Sequence, residues 1–327
     1  MAEKPLAGLR VLDLSRLLPG PYASLLLSDL GADVVKVEDS GAGDYLRQVA
    51  PSMYAPLNRG KRSIVVDLPS GDFDELVARA DVLIESFRPG VLERLVPSTP
   101  ERLIVCRISG FGQADSDWRD RAGHDIGYLA LAGVLAFNRA QPAVQLADLF
   151  GGAQQAVIGV LAALVERART GLGRVVDVSL THGSTGLLLA ADAARLLDGS
   201  RPCYRVYRCA AGFFALGALE PKFWQRFCAA VGRPEWIDGA FDPALVPDVD
   251  ALFLTRTRDE WNELLFEADC SGEPVLSPDE LRAHPLFGAA FAGDVLRTFP
   301  ALSPDVPLGP APSQGQHALS DVLRDWR

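Results

Sequence analysis

The sequence predicts an α/β protein, with a parallel sheet covered on both faces in its first half and a smaller α+β domain after it. Strand and helix patterns alternate up to about residue 180, which is typical of parallel strands joined by helices. After about residue 190 the pattern changes to a hairpin followed by helices. The chain has 327 residues, more than one hydrophobic core usually serves, so we expect two domains.

The predicted sheet begins with a strand, a helix and a second strand. The stretch "LRVLDLSRLLPGPYASLLLSDLGADVVKVE" has a strand at "VLDL", a helix from about Tyr22 to Leu30, a C-terminal cap at Gly31 and a strand at "DVVKVE". A right-handed βαβ unit is the simplest interpretation. The alternation of strands and helices continues through "SIVVDL", "GDFDELVARA", "DVLIESF", "GVLERL" and "LIVCRISGF".

Two further helices and one strand complete the first predicted domain, residues 1–190. The helices run from about Asp125 to Phe137 and from Gly152 to Thr170, where Gly171 and Gly173 end the second one. The strand that follows is "RVVDVSL".

The second predicted domain, residues 200–300, is of the α+β type. A hairpin turns at "AAG", an aromatic-rich helix begins at Pro221, and Thr257 with Glu260 has the spacing of a capping box. The tail, residues 301–327, is rich in proline and ends in a short helix.

Composition narrows the classes of partner and compartment. The chain has 42 acidic and 32 basic residues, a net charge of −10, which argues against a nucleic-acid partner. Any polyanionic ligand must therefore meet a local basic cluster. Five cysteines without a CxxC pair favour reduced thiols and no metal site. The sequence shows neither a secretory leader nor 18 consecutive apolar residues, so we expect a cytoplasmic protein without a membrane span.

Basic residues occur in three loops that follow or precede predicted strands. The first loop, "SRLLPGPYA", contains Arg16 and lacks the GxGxxG pattern of a dehydrogenase. "NRGKRS" contains Arg59 and Lys61, and "FRPG" places Arg88 just after a strand. Ligands of open parallel sheets bind at the carboxyl ends of strands, so these residues could hold phosphate groups. The alternatives are a rigid loop around Arg16 and solvated surface charge elsewhere.

Two ionisable residues stand at predicted helix starts. Asp148 precedes the pair Gly151 and Gly152, where a helix dipole would favour the ionised carboxylate and the glycines would let a ligand approach backbone N–H groups. His124 precedes an apolar helix, where the neutral imidazole is favoured and can accept a proton. The alternative for each residue is a helix cap without catalytic function.

These stretches, in this order, resemble the family III CoA-transferases, and among them the α-methylacyl-CoA racemase branch. The resemblance covers most of the chain, although it is weaker beyond Ala283. It is carried by "LAGLRVLDLSRLLPGPYASLLLSDLGADVVKVE", "NRGKRSIVVDL", "ADVLIESFRPGVLERL", "GHDIGYLALAGVL", "LADLFGGAQQAVIGVLAALVERARTGLGRVVDVSL", "YRVY", "LGALEPKFW" and "TRDEW".

The resemblance implies a Rossmann-like large domain, a small domain and a C-terminal segment that returns to the large domain. It also implies an interlocked homodimer, with the active site between the large domain of one subunit and the small domain of the other. The implied substrate is an acyl-CoA thioester, without any cofactor beyond its CoA moiety and without a metal. Arg59, Lys61 and Arg88 would hold the phosphates of CoA, and further contacts to the ligand are expected from Arg16, Asp125 and Tyr128.

The family has two chemistries at the aspartate that matches Asp148. In transferases this aspartate is a nucleophile that forms an acyl anhydride and then an aspartyl-CoA thioester. In racemases it exchanges the α-proton of the thioester together with a histidine matching His124, which a glutamate matching Glu220 supports. This chain has the racemase arrangement His124, Asp125 and Tyr128, and it lacks the GGGG run of formyl-CoA transferases.

The sequence therefore predicts a racemase or epimerase of 2-methylacyl-CoA thioesters. The alternatives are a CoA transferase and a CoA-ester-binding protein without turnover. Asp39 stands where racemases often have an arginine that contacts CoA, and the segments before "ADVLIE" and before "CYRVY" are short. We expect the loss of one anchoring charge, and three consequences stay open: a weakened substrate preference, an altered one, or a divergent member of low activity.

Overall fold

The chain divides into two compact units. The computed structural model describes residues 4–137, 141–189, 194–302 and 308–327. The first unit comprises Met1–Leu189 and Pro285–Arg327, and the second comprises Ala190–His284. Residues 285–300, which the sequence analysis assigns to the small domain, therefore belong to the first unit. Side-chain contacts tie them there, since Thr298 donates a hydrogen bond to Asp29 at 2.6 Å, and a sequence pattern does not reveal such a distant pairing.

Six parallel strands form the sheet of the first unit: β1 (Arg10–Asp13), β2 (Asp33–Glu38), β3 (Arg62–Val65), β4 (Val82–Glu85), β5 (Ile104–Ser109) and β6 (Val175–Ser179). Their order is β3-β2-β1-β4-β5-β6, so the strand order reverses between β1 and β4. Val11 of β1 lies opposite Val34 on one side and Val82 on the other. This order and direction are those of a Rossmann-like sheet, and the predicted α/β fold is confirmed.

Both faces of the sheet are buried. Successive residues of one strand point to opposite faces, and Val11 and Leu12 accordingly pack into two different apolar clusters. Val34 and Val35 of β2 divide in the same way. Runs of consecutive apolar residues, rather than an alternating pattern, are what this two-sided burial requires.

Helices cover the two faces of this sheet. In the first unit they are α1 (Pro19–Asp29), α2 (Leu46–Val49), α3 (Pro51–Asn58), α4 (Gly71–Arg79), α5 (Val91–Leu95), α6 (Asp125–Leu131), α7 (Gln155–Thr170), α8 (Leu180–Ser184) and α14 (Leu319–Asp325). A small hairpin of β10 (Phe291–Ala292) and β11 (Val295–Leu296) belongs to the same unit.

Three of the predicted helices differ from the observed ones. α1 begins at Pro19 instead of Tyr22. α6 ends at Leu131 instead of Phe137, because Gly133 adopts a left-handed conformation and a short 3₁₀ turn follows. The helix predicted from Gly152 begins earlier, as a π-helical segment at Ala147–Gln154 that continues into α7. Widened turns of this kind are rare and often lie at functional sites, and apolar periodicity does not predict them.

The second unit has its own antiparallel sheet and core. Its strands are β7 (Tyr204–Arg208), β8 (Phe213–Gly217) and β9 (Gly272–Pro274), and its helices are α9 (Ala194–Leu197), α10 (Pro221–Ala230), α11 (Val246–Phe253), α12 (Arg258–Phe266) and α13 (Pro278–Leu281). Tyr207 stacks on Phe253 in the core, with ring centroids 4.4 Å apart. The predicted capping box of Thr257 and Glu260 is confirmed at the start of α12.

The C-terminal residues pack against β2 and β3. The Trp326 indole donates a hydrogen bond to the Asp33 carboxylate at 2.7 Å, and the Ser63 backbone N–H donates to His317 Nδ1 at 3.1 Å. Trp326 is buried.

One helical stretch in the described residues, Ala147–Thr170, is long and apolar enough to cross a membrane by length and composition alone. Ala156, Val160 and Ala163 of this stretch are buried in the core of the first unit. Packing within the protein therefore accounts for part of its apolar character, whereas Ile158 and Val165 of the same stretch are exposed.

Candidate active site

A cavity of about 410 Å³ lies at the carboxyl ends of β1, β4, β5 and β6. This is the sheet edge where ligands of open parallel sheets bind, and the volume suits a small-molecule ligand. The cavity brings together five residues that the sequence analysis selected: Arg16, Arg88, His124, Tyr128 and Asp148.

His124 occupies the N-cap position of α6. Its backbone carbonyl accepts hydrogen bonds from the N–H groups of Gly127 and Tyr128, at 2.8 and 3.2 Å. Its side chain makes no capping hydrogen bond and is exposed at the cavity. The alternative interpretation, that the His124 side chain serves as a helix cap, is therefore wrong.

Asp148 lies inside the π-helical segment, whose N-cap is Leu146, so Asp148 does not occupy a cap position. Burial raises the pKa of Asp148 to about 7, and the negative charge of Asp125 acts in the same direction. From the sequence, a helix start was expected to favour the ionised carboxylate. Burial of Asp148 in the cavity wall instead favours the neutral acid.

Asp125 links the two chain segments of the site. Its side chain is buried, and its Oδ1 accepts a hydrogen bond from the backbone N–H of Asp148 at 2.9 Å. The structure therefore gives this carboxylate a partner within the protein, where the resemblance suggested contact with the ligand. The bond fixes the start of the π-helical segment next to α6.

Tyr128 is held in a narrow slot beside the cavity. A Cβ atom on Gly110 would lie 2.7 Å from the Tyr128 hydroxyl, and one on Gly123 would lie 2.5 Å from its ring. The edge of the ring also meets Phe111, with centroids 5.4 Å apart. Burial and the charge of Asp148 raise the pKa of Tyr128 to about 12, so the phenol stays neutral near pH 7.

Gly151 and Gly152 pack against protein. A Cβ atom on Gly151 would lie 2.5 Å from Ser184 Oγ, and one on Gly152 would lie 3.2 Å from Pro19 Cβ. Neither glycine lines the cavity that holds His124. The prediction that these glycines let the ligand approach the backbone is therefore corrected. Glycine occupies both positions because α8 and α1 pack too closely there for a larger side chain.

Four arginines line the cavity: Arg16, Arg88, Arg119 and Arg121. Arg119 and Arg121 were not among the predicted site residues, although both precede His124 in "DWRDRAGHD". The Arg119 Nε donates to the Gln113 carbonyl at 3.1 Å, and the Arg121 guanidinium lies 4.5 Å from the centre of the Trp118 ring. A chain with a net charge of −10 thus has a local basic rim at this cavity.

Arg59 and Lys61 are structural residues of the first unit. The Arg59 guanidinium forms two hydrogen bonds of 2.6 Å with the Asp29 carboxylate, and both side chains are buried. Lys61 is fully buried and contacts Asp13 at 3.1 Å, and burial lowers the pKa of Lys61 to about 8. Neither residue lines the cavity. Their predicted contacts with phosphate groups are corrected, since buried acids already pair with both charges.

A second cavity, of about 240 Å³, lies at the carboxyl ends of β1 to β4. Arg16 and Phe87 line both cavities, whereas Asp39 and Asp67 line only the second. The Arg16 guanidinium donates a hydrogen bond to the Asp39 carboxylate. Asp39, the residue that departs from the family pattern, is therefore the ion-pair partner of Arg16, one of the four arginines that line the first cavity.

Glu220 belongs to the second unit, where it is exposed at the N-cap of α10 and makes no capping hydrogen bond with its side chain. All five cysteines are buried, as expected for small core side chains. Among the described residues, no group of three or more His, Cys, Asp or Glu side chains is arranged to hold a metal ion.

Comparison with known proteins adds independent information. The chain is 36% identical to the human alpha-methylacyl-CoA racemase, in an alignment that covers 85% of this chain and 80% of the relative. It is 32% identical to the mouse succinyl-CoA:glutarate CoA-transferase, covering 72% of this chain and 61% of that protein.

This chain is also similar in structure to solved proteins. A CAIB/BAIF family protein from Brucella suis matches with a TM-score of 0.83 and 28% identity, over 100% of both chains. The sequence profile of the CoA-transferase family III matches residues 6–298. The chain therefore belongs to the CoA-transferase family III.

Proposed function

We propose that this protein is a racemase or epimerase that exchanges the α-proton of 2-methylacyl-CoA thioesters. The observation that carries the proposal is that His124 and Asp148 line one cavity from two separate chain segments. Inversion at carbon needs one group that removes a proton and a second that supplies one on the opposite face. The similarity to alpha-methylacyl-CoA racemase supports the same chemistry.

The acidity of Asp148 suits this exchange. In one direction neutral His124 accepts the α-proton, the C–H electron pair forms an enolate with the thioester carbonyl, and protonated Asp148 donates a proton to the other face. In the reverse direction the Asp148 carboxylate accepts the proton and protonated His124 donates one. A carboxyl group with a pKa of about 7 populates both forms near neutral pH.

The enolate oxygen requires hydrogen-bond donors. The N–H of Asp148 is engaged by Asp125, so it is not the donor. α6 begins directly after His124. In its first turn the N–H groups of Gly127 and Tyr128 donate to the His124 carbonyl, whereas those of Asp125 and Ile126 have no partner within the helix. We propose that these groups stabilise the negative charge on the enolate oxygen.

The arginine rim suits the CoA part of the substrate. Arg88, Arg119 and Arg121 line the cavity beside Arg16, and guanidinium groups bind phosphates with two parallel hydrogen bonds. We propose no cofactor beyond the CoA moiety. The homodimer and the support of His124 by Glu220 remain predictions of the resemblance.

A CoA transferase with Asp148 as nucleophile is the second candidate, which the similarity to succinyl-CoA:glutarate CoA-transferase favours. Incubation with a 2-methylacyl-CoA in deuterium oxide, with and without an acceptor acid and followed by hydroxylamine, separates the candidates. We expect deuterium incorporation and epimerisation without the acceptor. Acceptor-dependent CoA transfer, with Asp148 converted by hydroxylamine to its hydroxamate, would contradict the racemase and support the transferase. Binding of the thioester with neither reaction would identify a CoA-ester-binding protein.

A further inference from the structure

We propose that Asp39 is a positioning residue that holds the Arg16 guanidinium between the two cavities, where it binds the pyrophosphate of CoA. This inference rests on the proposed function, because it assumes a CoA thioester as ligand. It assigns Asp39 a favourable effect on the binding of a polyanion, although its own charge would repel that ligand.

The positions of the two cavities in the sheet support the placement of the pyrophosphate. The first cavity, with His124 and Asp148, lies on the β4–β5–β6 side, and the second lies on the β1–β2–β3 side. Arg16 and Phe87 line both, next to β1 and β4, where the strand order reverses. Dinucleotide-like ligands cross open α/β sheets at this point. A CoA thioester with its acyl end in the first cavity and its adenosine in the second would have its pyrophosphate at Arg16.

Asp39 is itself rigidly placed. Its Oδ1 accepts hydrogen bonds from the backbone N–H groups of Gly41 at 2.9 Å and Gly43 at 3.2 Å. Its backbone carbonyl accepts a hydrogen bond from the Gln314 side chain at 2.9 Å. The carboxylate therefore stands on a fixed loop, and Oδ2 contacts Arg16.

Arg16 needs such a partner. Its backbone is fixed by a 3.2 Å hydrogen bond from its N–H to Ser86 Oγ, and Leu17 follows it with a positive φ of 66°. Its side chain, however, is 44% exposed, and its guanidinium is held by the contact with the Asp39 carboxylate. A long side chain loses conformational freedom when it binds a ligand, and a partner that restrains it beforehand reduces this cost.

The test is calorimetric titration of the full chain with CoA, for the wild type and for Asp39→Asn. Asparagine retains the side-chain oxygen that accepts from Gly41 and Gly43, but it loses the charge that holds Arg16. We expect binding to be roughly 3- to 10-fold weaker, the effect of freeing one long side chain. Asp67→Asn is the matched control, because it removes the same charge from the second cavity without a contact to Arg16. If the charges of Asp39 and Asp67 only repelled CoA, both variants would bind CoA as tightly as the wild type or more tightly.

Two further measurements locate the effect. In an Arg16→Ala background, Asp39→Asn should no longer weaken binding, as expected for residues that act through one another. The loss in Asp39→Asn should persist with 3′-dephospho-CoA and disappear with pantetheine, which lacks the pyrophosphate. A loss that disappears with 3′-dephospho-CoA would overturn the assignment to the pyrophosphate.

The outcomes separate this inference from the proposed function. Wild-type protein that does not bind CoA would overturn both. Wild-type protein that binds CoA, with Asp39→Asn binding as tightly or more tightly, would overturn the role of Asp39 and leave the proposed function intact. Thermal unfolding of each variant checks that the loop around Asp39 is preserved.

Discussion

A carboxyl group that exchanges protons near neutral pH must lose its ordinary acidity, and two different causes do this at Asp148. Burial in the cavity wall is the larger cause, and the charge of Asp125 is the smaller one. Asp125 also accepts the Asp148 backbone N–H, so one residue affects both the acidity and the position of the group. The two effects can be separated by substitution.

Asp125→Asn should shift the pH profile of exchange without abolishing activity. The asparagine oxygen can still accept the Asp148 N–H, but the negative charge that raises the pKa of Asp148 is lost. For the direction in which Asp148 donates a proton, activity is lost as pH rises through this pKa. The loss should therefore occur at lower pH, by less than about one pH unit, because burial remains.

The measurement is the pH dependence of deuterium exchange in the wild type and in Asp125→Asn. Asp125→Ala serves as a comparison, since it removes the charge and the hydrogen bond together and should lower the rate at every pH. An unchanged profile in Asp125→Asn would contradict the electrostatic coupling of the two carboxyl groups.

Arg59 and Arg88 both lie next to a strand in the sequence, but Arg88 lines the cavity and Arg59 pairs with the buried Asp29. We therefore expect a substitution of Arg88 to affect ligand binding and a substitution of Arg59 to affect stability. Arg88→Ala should weaken the binding of CoA with little change in unfolding temperature, because Arg88 is exposed at the cavity. Arg59→Met should remove the two hydrogen bonds that the buried Asp29 carboxylate accepts from Arg59, which costs roughly 3–5 kcal/mol of stability. Thermal unfolding and CoA titration of both variants test this. Equal effects on affinity, with no loss of stability in Arg59→Met, would restore the original phosphate assignment.

Among the helices, the π-helical segment and α8 are packed at unusually short range. A Cβ atom on Gly183 of α8 would lie 2.0 Å from the Gly151 carbonyl oxygen. The segment that bears Asp148 is thus held from two sides, by α8 and by the hydrogen bond to Asp125. Backbone contact of this closeness explains why glycine occupies both positions.

Gly183→Ala should therefore destabilise the protein and displace Asp148. Overpacking typically costs about 1–3 kcal/mol, which corresponds to a drop of roughly 3–10 °C in Tm. Gly127→Ala is the matched control, since an added Cβ there meets no atom within 4 Å and alanine favours the helix. Calorimetry and the exchange rate of both variants are the measurements. A Gly183→Ala variant as stable and active as the control would contradict the packing argument.

For the molecule as a whole, local patterns predicted the fold well. Consecutive apolar runs predicted the buried parallel strands, and proline, glycine and capping residues placed the limits of most of the predicted helices within a few residues, although α2 and α3 were not predicted. The π-helical segment escaped prediction because its sequence has the same apolar periodicity as an ordinary helix. The placement of residues 285–300 depends on pairs such as Thr298 and Asp29, which lie far apart in sequence.

The sequence predicted the candidate site only in part, because contacts between residues that lie far apart in the chain leave no local pattern. His124 and Asp148 were selected by their positions near helix starts and by resemblance, and the structure places both at one cavity. The pairing of Arg59 with Asp29, of Lys61 with Asp13 and of Arg16 with Asp39 is decided by tertiary contacts. A basic residue next to a strand has the same local pattern whether it meets a ligand or a buried acid.

The central claim, that His124 and Asp148 act on opposite faces of one α-carbon, is tested most directly with single enantiomers in deuterium oxide. Each enantiomer of a 2-methylacyl-CoA is incubated with His124→Ala and with Asp148→Ala, and deuterium at the α-carbon is measured by mass spectrometry. Inversion should fall by at least about 10²-fold in both variants. Each variant should still exchange the α-proton of one enantiomer only, and the two variants should select opposite enantiomers. Equal exchange of both enantiomers by either variant would contradict the account.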